Sequence, residues 1–204
     1  MRNMRQRQAK TAVKLAPDNP RQAIAMAASL EAPDEDARQI KCHTLLQIAQ
    51  TLQKNEPGFA KQAIEELVKN TTGLNYEGEN RMLRDATALL IKMEENDAAF
   101  KVIKRGMELA EKMYDQDRDS GDPNEAIRPY WPSAAIWKTF ITLAGRISPQ
   151  TALEEIKEVR DPEIQTFTRA ALANTLLGNK GGMMIMREIR KSGKDEYSMF
   201  DERD

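Results

Sequence analysis

Three aspartates at alternate positions, Asp115, Asp117 and Asp119, come nearest in type and spacing to a chemical site in this chain. Alternating carboxylate oxygens open the calcium loop of a helix–loop–helix module. The rest of that pattern is missing. Ser120 stands where the loop needs its glycine, with Gly121 one place late. Asp122 stands where an apolar residue belongs. Ala126 replaces the bidentate glutamate, with Glu125 one place early. The stretch is therefore expected to be an exposed, solvated acidic turn. No metal and no other cofactor is expected.

The second candidate is Cys42 beside His43, the single cysteine and the single histidine of the chain. Adjacent residues on a helix point about 100° apart. With no other cysteine or histidine available, neither a zinc site nor a cysteine–histidine nucleophile can be assembled. A packed cysteine and a histidine on the surface or in a groove are expected. Gly181-Gly182 lacks the lysine and hydroxyl pattern of a phosphate loop. No serine elbow or catalytic triad is present, so no catalytic residue is assigned. The third candidate is aromatic. Tyr130, Trp131, Trp137 and Phe140 fall close together, with Arg128 just before them. Tryptophan, tyrosine and arginine are favoured at binding hot spots. Arg128, Tyr130, Trp131 and Trp137 thus form the candidate recognition surface. The competing reading is that the two tryptophans plug the core, since large aromatics dominate burial in an aromatic-poor chain.

The elements that must carry these residues read as helices. Ser148-Pro149 and Asp161-Pro162 are two helix starts, each pairing an N-cap side chain with a proline where no amide donor is needed. Gly178 ends the second helix, because glycine accepts the left-handed conformation. An echo lies near the N-terminus. Pro20 and Pro33 are separated by the same distance along the chain as Pro149 and Pro162. Ala23, Ile24, Ala27 and Leu30 then fall on Ala152, Leu153, Ile156 and Val159, each set on one helix face. Short helices with one apolar stripe each must stack on neighbours to bury it. Leu153, Ile156, Val159 and Phe167 are expected in one buried cluster, and Ile24, Ala27, Leu30 and Ile40 in another.

Between the echoes the stripes continue. Helices are expected at about Met4–Ala16, Pro33–Lys54 and Phe59–Lys69, then one striped by Met82, Ala86, Leu89, Leu90 and Met93. Another is expected from the N-cap Asp97, and one from Ser133 with Ile136, Trp137, Phe140 and Ile141. Asn70 to Asn80 reads as a loop by composition. Asp115 to Pro132 reads as the longest irregular stretch, and long loops are often functional. The fold class is all-α, about nine helices in stacked antiparallel pairs. Residues 1–178 form the helical-repeat domain, with the irregular stretch at 115–132. Residues 179–204 form a polar tail in which Met183 to Met186 start a short helix.

The alternating short helices, proline-led starts and alanine-rich stripes resemble tetratricopeptide- and HEAT-type α-solenoids over about Pro20 to Gly178. That resemblance implies stacked helix pairs that bind peptides or proteins on one face. The expected function is accordingly a non-enzymatic scaffold for a protein or peptide partner. Two alternatives stand beside it. One is a nucleic-acid-binding repeat that uses Arg2, Arg5, Arg7, Lys10 and Lys14 of the first helix. The other is an enzyme or calcium-binding module centred on 115–132. A net charge of −1 argues against nucleic acid as the partner. No stretch approaches the length of an apolar membrane span, so no membrane partner is expected. The basic start has no apolar run behind it, unlike a secretory signal, and the lone cysteine fits a reducing compartment. A cytoplasmic location is expected, unless a leader has been removed.

Overall fold

The computed structural model describes residues 2–119 and 131–178, and every structural statement below concerns those residues. They form nine helices: α1 (Arg2–Leu15), α2 (Pro20–Ala28), α3 (Glu35–Leu52), α4 (Pro57–Thr71), α5 (Tyr76–Lys92), α6 (Asn96–Asp119), α7 (Pro132–Ile147), α8 (Pro149–Lys157) and α9 (Pro162–Leu176). Among the described residues there is no strand. The fold is all-α.

Side-chain caps set most of the starts. Asn19, Asp34, Asn75, Ser148 and Asp161 each accept a backbone N–H from the first turn of the helix that follows. These bonds satisfy donors that no intrahelical carbonyl can reach. Proline opens α2, α4, α7, α8 and α9. Pro33 differs: it precedes the cap Asp34, so α3 starts at Glu35. Each helix lies alongside the one before, and short turns join them everywhere but between α6 and α7. The odd-numbered helices also pack on one another in chain order, α1 on α3, α3 on α5, α5 on α7 and α7 on α9. On the other side α2 touches α4. The apolar stripes meet between the two layers in one continuous core that runs from Ala12 to Leu172.

The echo between α2 and α8 survives in three dimensions. Both helices have 9 residues. Ala23, Ala27 and Leu30 are buried, as are their counterparts Ala152, Ile156 and Val159. Leu153 corrects the expectation: it is 44% exposed, whereas its counterpart Ile24 is buried. Ile24 faces a cleft that Gln62 of α4 closes. Among the described residues α8 is the last helix of its layer, so nothing covers Leu153 in the same way. Phe167 and Ile40 are half-buried rather than buried.

Two loops are shorter than their composition suggests. Asn70 to Asn80 is mostly helix, because only residues 72–75 separate α4 from α5. Asn75 is a cap: its Oδ1 accepts the Gly78 N–H at 2.8 Å, and Glu77 and Glu79 favour the positive end of the helix. Gly73 takes φ +92 in that turn, and the Arg38 guanidinium lies against its Cα. The expectation of an irregular stretch from Asp115 to Pro132 also fails at both ends. Asp115 to Asp119 complete α6, and Pro132 opens α7. Arg118 holds Asp115 and Asp119 within α6 at 3.7 and 3.2 Å.

Candidate functional site

The acidic stretch serves packing. On a helix, Asp115 and Asp119 share a face while Asp117 points elsewhere, so the three cannot ring one ion as a calcium loop would. Asp115 and Asp117 are half-buried rather than exposed. Arg160, in the turn before α9, donates to Asp115 at 3.3 Å. Its Nε also lies 2.7 Å from Glu111 Oε2. That approach is off the N–H axis, so Glu111 Oε2 has the charge contact but no directed hydrogen bond. Burial raises the Glu111 carboxyl above the usual range; Arg160 lowers it, and Asp115 raises it again. Asp117 caps α7 from outside: its Oδ2 accepts the Ser133 N–H at 3.0 Å, a service that Trp131, in the N-cap position, does not perform. Among the described residues no group of three or more metal-ligating side chains converges.

The aromatic candidates divide. Arg128 and Tyr130 lie outside the described residues. Trp131 is half-buried, with its ring 5.8 Å from that of Tyr114 and tilted 49°. Tyr114 donates to Asp161 Oδ2 at 3.4 Å, and Asp161 itself caps α9. Trp137 is 4% exposed and spends its indole on the core beside the fully buried Phe140. Trp131 and Trp137 thus fasten α6, α7 and the start of α9 together. Cys42 is fully buried, and its thiol is pushed up to about 11, chiefly by burial, with Arg38 and Lys41 pulling it back. His43, about 100° around α3 from it, is exposed, so the two side chains do not converge.

The described residues hold a larger site elsewhere. A groove of about 650 Å³ runs across the odd-helix layer. The floor is α3, through Asp36, Gln39, Ile40, His43, Thr44 and Gln47. Gln6, Ala9 and Lys10 of α1 form one wall, and Arg81, Met82 and Asp85 of α5 the other. Its apolar lining is Ala9 and Met82, both buried, and the half-buried Ile40; the glutamines, His43 and the charged groups make up the rest. An apolar centre inside a polar rim is the usual anatomy of a recognition patch. Gln39, His43 and Gln47 recur at every fourth residue, so they line up along one side of α3.

The α5 wall is held in place from outside the groove. Arg38 of α3 donates to the Thr72 carbonyl, and its second arm reaches the Ala32 carbonyl at 3.5 Å. The Asn75 N–H donates to Glu35 at 3.3 Å. On the far side Arg105 of α6 donates to Thr72 Oγ1 and to the buried Glu79 at 3.2 and 3.1 Å. The turn before α5 is therefore clamped between arginines from α3 and α6, which fixes α5 against the floor. A second groove of about 470 Å³ lies between α4 and α6 over Leu90. Two of its rim lysines are tied up, Lys61 on Glu95 and Lys69 on Glu66, each at 2.7 Å.

Fold and site together define a class: an all-α protein of layered helix pairs with a groove across one layer. No family model, curated protein or solved structure matches this chain significantly. No described helix is long and apolar enough to cross a membrane.

Proposed function

We propose that the protein is a non-enzymatic helical-repeat scaffold that binds an extended segment of a protein partner in the groove between α1, α3 and α5. One observation carries the reading: Gln39, His43 and Gln47 are aligned along α3 beside the apolar centre formed by Ala9, Ile40 and Met82. Glutamine offers both an acceptor and two donors. A ladder of such groups meets the N–H and C=O groups of an extended backbone whatever its sequence. The apolar centre takes one side chain of that segment, and burying it supplies affinity that the wet rim cannot. Arg5 of α1 faces an acidic neighbour, Asp34, at 3.8 Å, which weakens the case for α1 as a nucleic-acid stripe.

Selection of random displayed peptides against the whole chain tests the proposal. Binders are expected whose affinity falls at least about tenfold when Gln39→Ala and Gln47→Ala are combined, on the scale of two lost hydrogen bonds. Both positions are on the groove floor, away from the α3 core stripe. Binders indifferent to that pair of changes, or no binders at all, would refute it.

A further inference from the structure

We infer that this groove selects a segment with an acidic side chain next to an apolar one, the acid being held by Lys10 and Arg81 from opposite walls above His43. The inference rests on the groove reading and gives it a ligand chemistry.

The charged groups facing the groove are Lys10, Asp36, Arg81 and Asp85, with His43 between the walls. Formally they balance, but their commitments do not. Asp85 Oδ1 accepts both Nε and Nη2 of Arg84, at 3.0 and 2.9 Å. Asp36 is engaged as well. Lys10 and Arg81 are exposed, and among the described residues neither forms an ion pair. Asp85 is thus paired by a neighbouring arginine and Asp36 is engaged, while the two cations of the groove are left for an occupant. An arginine fork matches a carboxylate in two parallel bonds, and a lysine adds a mobile point charge. His43 adds a ring N–H donor in either tautomer. Lys10 and Arg81 would also repel a basic segment. Because the apolar centre adjoins them, the acid and an apolar residue are read close together along one extended chain.

The test uses random twelve-residue peptides displayed on phage, selected in parallel against the full wild-type chain and against the K10Q/R81Q variant. Both side chains are exposed and outside the core, and circular dichroism checks that the variant is folded. With the wild type, Asp and Glu should rise at least about threefold over the input at one fixed position beside an apolar residue. With the variant that enrichment should vanish. A synthetic winning peptide should bind the variant about tenfold more weakly and lose most of its salt dependence, as expected for two exposed ion pairs. Groove-dependent peptides without an acidic position, or an acidic preference unchanged in K10Q/R81Q, overturn the inference and leave the groove as a binding site. Winning peptides that bind the Gln39→Ala, Gln47→Ala variant as well as the wild type remove the groove reading, and the inference falls with it.

Discussion

Gly106 lies where α6 and α7 approach closely, and replacing it with alanine should destabilise the protein. In an ordinary helix interior that substitution gains about 1 kcal/mol, because glycine surrenders more backbone freedom. Here a Cβ on Gly106 would land among three carbons of the Phe140 ring, far inside van der Waals contact. Phe140 is fully buried, so the ring has no vacant space to enter. Relief requires α6 and α7 to separate or Phe140 to leave its rotamer, and overpacking of that kind costs about 1–3 kcal/mol. Contacts this short place the cost in the upper part of that range, about 2–3 kcal/mol, so the net loss after the helix gain is about 1–2 kcal/mol, read as a fall of roughly 2–8 °C in Tm for a chain of this size. Gly58, in the first turn of α4, is the internal control. A Cβ there meets nothing, so Gly58→Ala should hold or raise the Tm. The loss at Gly106 should also shrink when Phe140→Leu makes room, a coupling that a double-mutant cycle measures. If G106A melts at or above the wild type, or costs as much beside F140L, the close approach of α6 and α7 is wrong.

Ile156→Ala should cost about 2–5 kcal/mol in a urea titration, since the side chain is fully buried. Leu153→Ala, three residues earlier and exposed, should cost under about 1 kcal/mol; equal losses would refute the assigned faces of α8. Glu79→Ala takes from Arg105 its buried acceptor, while the Thr71 hydroxyl keeps the Val68 carbonyl, and should lose about 1–3 kcal/mol in the same titration; no loss would show that the arginine clamp on the α4–α5 turn is ornamental. The Cys42 thiol, raised from 9.0 to about 11, should resist a thiol reagent at pH 8 in the folded protein and react at once in denaturant. Because its folded value lies above its unfolded one, Cys42 contributes stability that is fully present below pH 9 and is lost as the pH rises toward 11; replacing Cys42 with alanine should flatten that decline, and an unchanged pH profile would refute the assignment.

The helices were legible because their signals are local. Ser148-Pro149 and Asp161-Pro162 carry caps and prolines within one turn, and both helices begin there. Composition misled where a cap resembles a loop. Asn75 and Gly78 look like turn residues, yet the side chain of one accepts the N–H of the other and opens α5. Asp115 to Asp119 look like a solvated acidic run, and only partners far along the chain, Arg160 for Asp115 and the Ser133 N–H for Asp117, show why those two are half-buried on a helix. Leu153 shares its stripe position with Ile24, and the difference lies in which helix comes next, which no local pattern encodes. The groove was hidden for the same reason. Gln39, His43 and Gln47 are ordinary polar residues on a helix, and they become a site only when α1 and α5 stand on either side.

On the proposed reading, the placement of the groove on α3 separates recognition from folding. One set of α3 residues, Cys42, Leu45, Leu46, Ile48, Ala49 and Leu52, is buried between the layers. Another, Gln39, His43 and Gln47, faces the groove. The two stripes share a backbone but not a single side chain. Because α3 is held by packing and by the Asp34 cap rather than by its polar stripe, that stripe is not constrained by the need to fold. Substitutions at the exposed His43 or Gln47 should therefore cost little stability, since exposed changes on a helix usually fall within about 0.5 kcal/mol. The opposite holds for the arginine clamp. Arg38 and Arg105 do not line the groove, yet they set where α5 stands relative to α3. Loosening them should widen the groove and weaken every occupant alike, whereas changing Lys10 or Arg81 should alter only which occupant is preferred.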